Sequence, residues 1–254
     1  DNFSICLIVG LFLSLYNFGL LAFSMAAILR GVSGVATIYI VAPWKVGFEL
    51  SKLSAKSLLS FGIPFQLNSV LALLKDRLVP LVIAKMVGPT GVGFITWSSA
   101  IAFLPLEVMN IVIRVTFPAF SRLQDNKKSL KEAIEKSLFL TALFLYPLLF
   151  GLVALAPSLV TDVISTKWQP ALPLIYLFSI NTFWATLSSP FTNAFNAIGK
   201  IGITLKLMIM WTALTWILSP ILTYIFGFIG VALASAIISF TSIIPLYLIK
   251  KIIK

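Results

Sequence analysis

Seven continuous apolar runs, each long enough to cross a bilayer, leave this 254-residue chain few ways to fold. They occupy residues 20–41, 61–86, 91–117, 137–159, 171–194, 203–226 and 228–249. About 20 apolar residues in a helix cover the hydrocarbon thickness of a membrane. The runs are unbroken rather than alternating, which excludes a transmembrane β-barrel. Helices are then the remaining way to satisfy every backbone polar group in lipid. The expected fold class is all-α: a polytopic membrane helix bundle with about seven complete transmembrane helices. An eighth run, 3–16, is too short to span, and the chain opens on Asp1 without a basic segment ahead of it. That run predicts a partial helix at the N terminus, and the chain is expected to be the C-terminal part of a longer protein. A signal peptide fits less well, because no charged start and small-residue cleavage site frame the run.

The basic residues lie on one side of these runs. Gaps two, four and six and the C-terminal tail, with the run ends beside them, carry fourteen lysines and arginines, while the odd gaps and the run ends beside them carry two, Lys85 and Lys167. The first group is Lys45, Lys52 and Lys56, then Arg114, Arg122, Lys127, Lys128, Lys131 and Lys136, then Lys200 and Lys206, then Lys250, Lys251 and Lys254. Short cytoplasmic loops collect Lys and Arg in this way, so the C terminus is expected in the cytoplasm. The net charge of +11 follows from this bias and from anionic headgroups, and nucleic acid is excluded because the charge is divided among short loops. Hydrophobic residues make up 59% and charged residues 11%, more apolar surface than a soluble core could bury. Trp44, Trp97 and Trp168 fall near the ends of runs, where aromatic belts form.

Residues 121–137 form the one extended polar stretch. Lys128, Glu132 and Lys136, and Lys131 with Glu135, follow four-residue spacing that supports a helix. Leu130, Ile134 and Leu138 give it an apolar edge, which predicts an amphipathic cytoplasmic helix on the membrane or a solvated linker helix. Histidine is absent, and Cys6 is the one cysteine, which removes the commonest metal ligands and general base. The chain carries no Walker A loop, HExxH, GxSxG or CxxC. It is therefore expected to be no enzyme, with no catalytic residue, no cofactor and no metal site.

Ionisable residues inside the runs are costly in lipid and mark cavities or partners. Arg30 lies in the run 20–41, and Lys75, Asp76 and Arg77 are consecutive in the next, with Asn68 on a face shared with Lys75 and Asp76. Glu107, Asn110 and Arg114 follow i, i+3, i+7 spacing and share one stripe. The substrate-cavity candidates are Arg30, Asn68, Lys75, Asp76, Arg77, Glu107 and Arg114. Five of them also have a structural reading: an Asp76 ion pair with Lys75 or Arg77 that locks helices, and an interhelical pair for Glu107 and Arg114.

Several stretches together resemble a known family. They are residues 61–124 (FGIPFQLNSVLALLKDRLVPLVIAKMVGPTGVGFITWSSAIAFLPLEVMNIVIRVTFPAFSRLQ), 146–160 (YPLLFGLVALAPSLV), 166–180 (TKWQPALPLIYLFSI) and 193–200 (NAFNAIGK). The order Phe61-Gly62, Asp76, Gly88 with Gly91 and Gly93, Leu104-Pro105, then Val115 with 117–124 resembles the Wzx-like flippases. These form the polysaccharide-transporter branch of the multidrug/oligosaccharidyl-lipid/polysaccharide exporter superfamily. The resemblance implies two six-helix bundles around a central cavity. Residues 1–60 would hold the end of the first bundle and a cytoplasmic linker, and 61–254 the second bundle. It also implies that most cavity cations of the family lie in the first bundle.

The resemblance further implies a flippase of the cytoplasmic (inner) membrane that moves undecaprenyl-diphosphate-linked oligosaccharide by alternating access. The implied role is cell-surface polysaccharide biosynthesis. The expected partners are that lipid-linked substrate, the bilayer, a coupling ion (H or Na) and the polysaccharide assembly machinery. A multidrug or organic-cation antiporter of the same superfamily is the alternative. Four basic residues against two acidic ones inside the runs favour an anionic substrate. A polysaccharide polymerase ranks third, because the outward gaps are short and nearly uncharged.

Overall fold

The computed structural model describes residues 20–41 and 51–253, and all of its long elements are helices. The short run 3–16, Cys6, Trp44 and Lys45 lie outside the described residues. The chain divides into two compact units, Asp1–Ser54 and Ala55–Lys254. In the first, α1 runs Leu20–Val41, the span expected from its apolar run.

The second unit is a helical bundle. Helix α2 (Lys52–Leu73) passes through a π-helical stretch, Leu74–Leu78, into α3 (Val79–Arg122). Helix α4 (Lys127–Ser158) is followed by a π turn and a 3-10 turn, then α5 (Leu172–Ala197). Helix α6 is Ile201–Phe226, α7 is Ile229–Ser239, and α8 is Ile243–Ile253 beyond a 3-10 turn. Six helices among the described residues are long and apolar enough to cross a membrane. One of them covers 69 residues, Ser54–Arg122. At 1.5 Å per residue that is about 100 Å, far more than one crossing needs. Gly88 breaks it with φ 69 and ψ 177, so two of the seven runs share one helical assignment.

Helix α5 is the centre. Thirteen of its residues are buried, more than in α4 or α6. Small and hydroxyl side chains let neighbouring backbones come close, as in other membrane interfaces. The Thr182 hydroxyl donates to the carbonyl of Ala102 at 2.8 Å, and Asn193 Nδ2 donates to Thr116 Oγ1 at 3.0 Å. Asn181 Nδ2 reaches the carbonyl of Ser235 at 3.2 Å, tying α5 to α7.

The two ends of the bundle differ chemically. At one, Trp168 packs on Trp97 at 4.6 Å and on Phe94 at 5.7 Å, and Phe94 meets Phe228 at 5.5 Å. These rings join the turn after Gly88, the connection before α5 and the turn before α7. At the other, Phe120, Leu130, Phe195, Leu207 and Ile249 form one core cluster. That cluster gathers the α3–α4 turn, the α5–α6 turn and the end of α8, which carry Arg122, Lys127, Lys200, Lys250 and Lys251.

The polar stretch 121–137 continues directly into the spanning part of α4. Asn126 caps that helix by accepting from the Ser129 N–H at 3.1 Å. Its apolar edge is used within the protein: Leu130 and Ile134 are 3% exposed in the core cluster. The outward face of α4 instead presents Phe139, Leu143, Phe144 and Phe150, a surface that suits hydrocarbon.

Candidate functional site

Pro80 shapes the segment that bears three consecutive charges. It has no N–H for the carbonyl of Asp76, four residues earlier, and its ring crowds that carbonyl. The backbone there widens into the π turn Leu74–Leu78. Lys75 and Asp76 both face one cavity of about 610 Å³ inside the bundle. Lys75 Nζ lies 3.5 Å from Asp76 Oδ1, and the Asp76 side chain is 64% exposed.

The opposite walls of that cavity are hydroxyl stripes. Helix α6 contributes Trp211, Thr215 and Ser219, spaced i, i+4, i+8. Helix α7 and the turn after it contribute Ser235, Ser239 and Ser242, and α5 contributes Asn181, Ser188 and Thr192. Trp211 is held by its indole N–H, which donates to Thr241 Oγ1 at 2.8 Å. A wall of short hydroxyls, one indole face and the Lys75–Asp76 pair can bind a polar, polyhydroxylated or charged solute. These stripes were not singled out from the sequence; the signal they carry is helical spacing, regular at four residues in α6 alone.

A second cavity of about 310 Å³ lies between α2, α5 and α6 and shares Thr192 and Trp211 with the first. Asn68, Asn196 and Thr204 line it, and each holds a buried side-chain oxygen without a hydrogen-bond partner.

The sequence-predicted residues thus divide. Lys75 and Asp76 are on the large cavity and Asn68 on the small one. Arg77 is exposed and lines neither, and the structure pairs Asp76 with Lys75 rather than with it. Glu107 and Arg114 are exposed on α3, and Glu107 Oε2 accepts from Asn110 Nδ2 at 3.2 Å instead of pairing with Arg114. Arg30 is exposed on α1 in the other unit, where its carbonyl accepts from Ser33 Oγ at 3.1 Å.

A family model described as polysaccharide biosynthesis protein matches residues 2–173. The chain belongs to the polysaccharide biosynthesis protein family. That is the direction in which the motif order of residues 61–124 pointed. Among curated relatives of this family member, the lipopolysaccharide biosynthesis protein WzxC of Escherichia coli (strain K12) is 26% identical over 207 residues. The match covers 81% of this chain and 42% of WzxC. The succinoglycan biosynthesis transport protein ExoT of Rhizobium meliloti (strain 1021) is 26% identical over 236 residues, 91% of this chain and 46% of ExoT. The chain therefore spans less than half the length of these two relatives. Its fold is similar to that of the lipid II flippase MurJ in an inward closed conformation, with a TM-score of 0.69 at 19% identity. That likeness covers 98% of this chain and 55% of MurJ.

Proposed function

We propose that this polysaccharide biosynthesis family member is part of a flippase. It would carry undecaprenyl-diphosphate-linked oligosaccharide across the cytoplasmic membrane by alternating access, for cell-surface polysaccharide biosynthesis. The observation that carries this reading is the 610 Å³ cavity, whose hydroxyl stripes suit sugar hydroxyls and whose Lys75 suits a diphosphate. Residues 61–254 would form one half of the transporter, with the lysine-rich end and the C terminus in the cytoplasm. WzxC and ExoT, named for polysaccharide biosynthesis and transport, support the substrate class.

The smaller cavity supports ion coupling. Neutral oxygens such as those of Asn68, Asn196 and Thr204 are the ligands that a Na ion requires. The alternative, an organic-cation antiporter, draws on Asp76 and its exposed carboxylate.

Export of surface polysaccharide by the intact protein decides between them. Lys75→Ala should abolish export with the protein still in the membrane, and Ser219→Leu with Ser239→Leu, which fill the cavity, should do the same. Full export in both variants would remove this cavity from the pathway. Resistance to a cationic dye that is lost in Asp76→Asn, with polysaccharide unchanged, would establish the antiporter.

A further inference from the structure

A third cavity, of about 570 Å³, lies away from the hydroxyl-lined site, where the first turns of α4 meet the last turns of α8. Its floor is apolar: Ile134 and Leu138 from α4, Phe191 from α5, and Leu246 and Ile249 from α8. Phe191 and Thr192 are neighbours that line different cavities, so α5 stands between this cleft and the central one. Beside the cleft, Phe139 is 65% and Tyr247 70% exposed, so it opens on the apolar outer surface of the bundle.

The rim carries charge. Lys131 and Lys250 line the cleft together with Glu135, whose Oε1 lies 3.9 Å from Lys131 Nζ. Both side chains of that pair are more than half exposed, and such a loose contact is readily exchanged for a stronger anion. Lys127 and Lys128 begin the same helix, and Lys251 follows Lys250, so two lysine-rich helix ends converge here.

We propose that this cleft is a binding site for an anionic phospholipid of the surrounding leaflet. An acyl chain lies on Phe191, Leu138 and Leu246, and the phosphate is held by Lys131 and Lys250. The charge pattern selects the occupant, because basic pockets between transmembrane helices at a membrane surface recognise anionic headgroups. A purely apolar partner helix would bring no anion to either ammonium group, leaving Lys131 only its loose contact with Glu135. The inference does not depend on what the central cavity transports.

The test uses the intact protein purified in neutral detergent and titrated with phosphatidylglycerol or phosphatidylcholine, with bound lipid counted by native mass spectrometry. Wild type should retain phosphatidylglycerol in preference to phosphatidylcholine. The double variant Lys131→Gln with Lys250→Gln should lose about tenfold in affinity for phosphatidylglycerol while phosphatidylcholine is unaffected. Lys200→Gln with Lys206→Gln, the same change in charge on α6 and its N-cap, should leave binding within about twofold. Glu135→Gln should tighten phosphatidylglycerol binding, a gain that misfolding cannot produce, and Leu138→Trp should weaken both lipids by filling the cleft. Equal losses in the two lysine doubles would reduce the effect to diffuse surface charge and overturn the proposal. So would displacement of phosphatidylglycerol by an equimolar polyprenyl diphosphate, which would give the cleft to a carrier lipid.

Discussion

Asp76 shows how far a buried-charge argument from sequence can go. The sequence marks it as costly inside an apolar run, and the structure places it on a cavity wall, 3.5 Å from Lys75 and 64% exposed. An ion pair that open contributes no more than about 1 kcal/mol. Asp76→Ala should therefore leave the amount of protein in the membrane close to wild type, measured by immunoblot beside polysaccharide export. A collapse in abundance would mean that the pair locks the helices together. Thr182 is the opposite case: nothing in its type marks it out, yet its buried hydroxyl joins α5 to the carbonyl of Ala102 at 2.8 Å. Thr182→Val keeps the shape and removes that bond, at a cost of about 0.6–1.7 kcal/mol for a membrane helix pair. The unfolding midpoint in detergent should fall by a few degrees, whereas Thr37→Val, at an exposed site whose hydroxyl bonds within its own helix, should leave it unchanged.

At the level of elements, two glycines do what no other residue could. Gly88, at φ 69 and ψ 177, breaks the long helix so that two crossings fit into one continuous stretch. A side chain there costs about 1–3 kcal/mol in backbone strain, so Gly88→Ala should be destabilised by that amount. Gly230 allows α7 to lie against the end of α6, where an added Cβ would fall 2.1 Å from the carbonyl oxygen of Leu222. Gly230→Ala should cost about 1–3 kcal/mol because backbone, not a side chain, has to move. Gly93 is the control: a Cβ there meets nothing within 4 Å, and Gly93→Ala should be neutral or slightly stabilising. Thermal unfolding of the purified variants orders the three, and equal behaviour would contradict this packing. Within the stretch 121–137, the helix that begins at Lys127 is legible from its charge spacing. Its apolar edge faces Phe120, Phe195 and Ile249, because a neighbouring core competes with the membrane surface for the same leucines.

For the whole molecule, the alternation of basic gaps becomes geometry, since the Lys127 turn and the Lys200 turn meet in one core cluster and the connection before α5 lies at the aromatic end. Cysteines placed at Lys127 and Lys200 should react together, with reagents that enter the cytoplasm. One at Asp162 should label from outside. Labelling of Lys127 and Lys200 from opposite sides would break the antiparallel bundle itself, and labelling of both from outside would invert its orientation. The sequence by itself determined the apolar helices and the segregation of charge along them, because both depend on features local along the chain and on the rule that backbone in lipid must bond to itself. It also marked Lys75, Asp76 and Asn68 as candidates, because their cost in lipid is a property of the single residue. Only the tertiary structure decided which face of each helix looks inward. Periodicity puts Glu107, Asn110 and Arg114 on one stripe, but the packing of α3 leaves that stripe exposed. The serines and threonines of α5, α6 and α7 are unremarkable in any one helix. They become a cavity wall when three helices turn the same kind of face toward the π turn that Pro80 imposes.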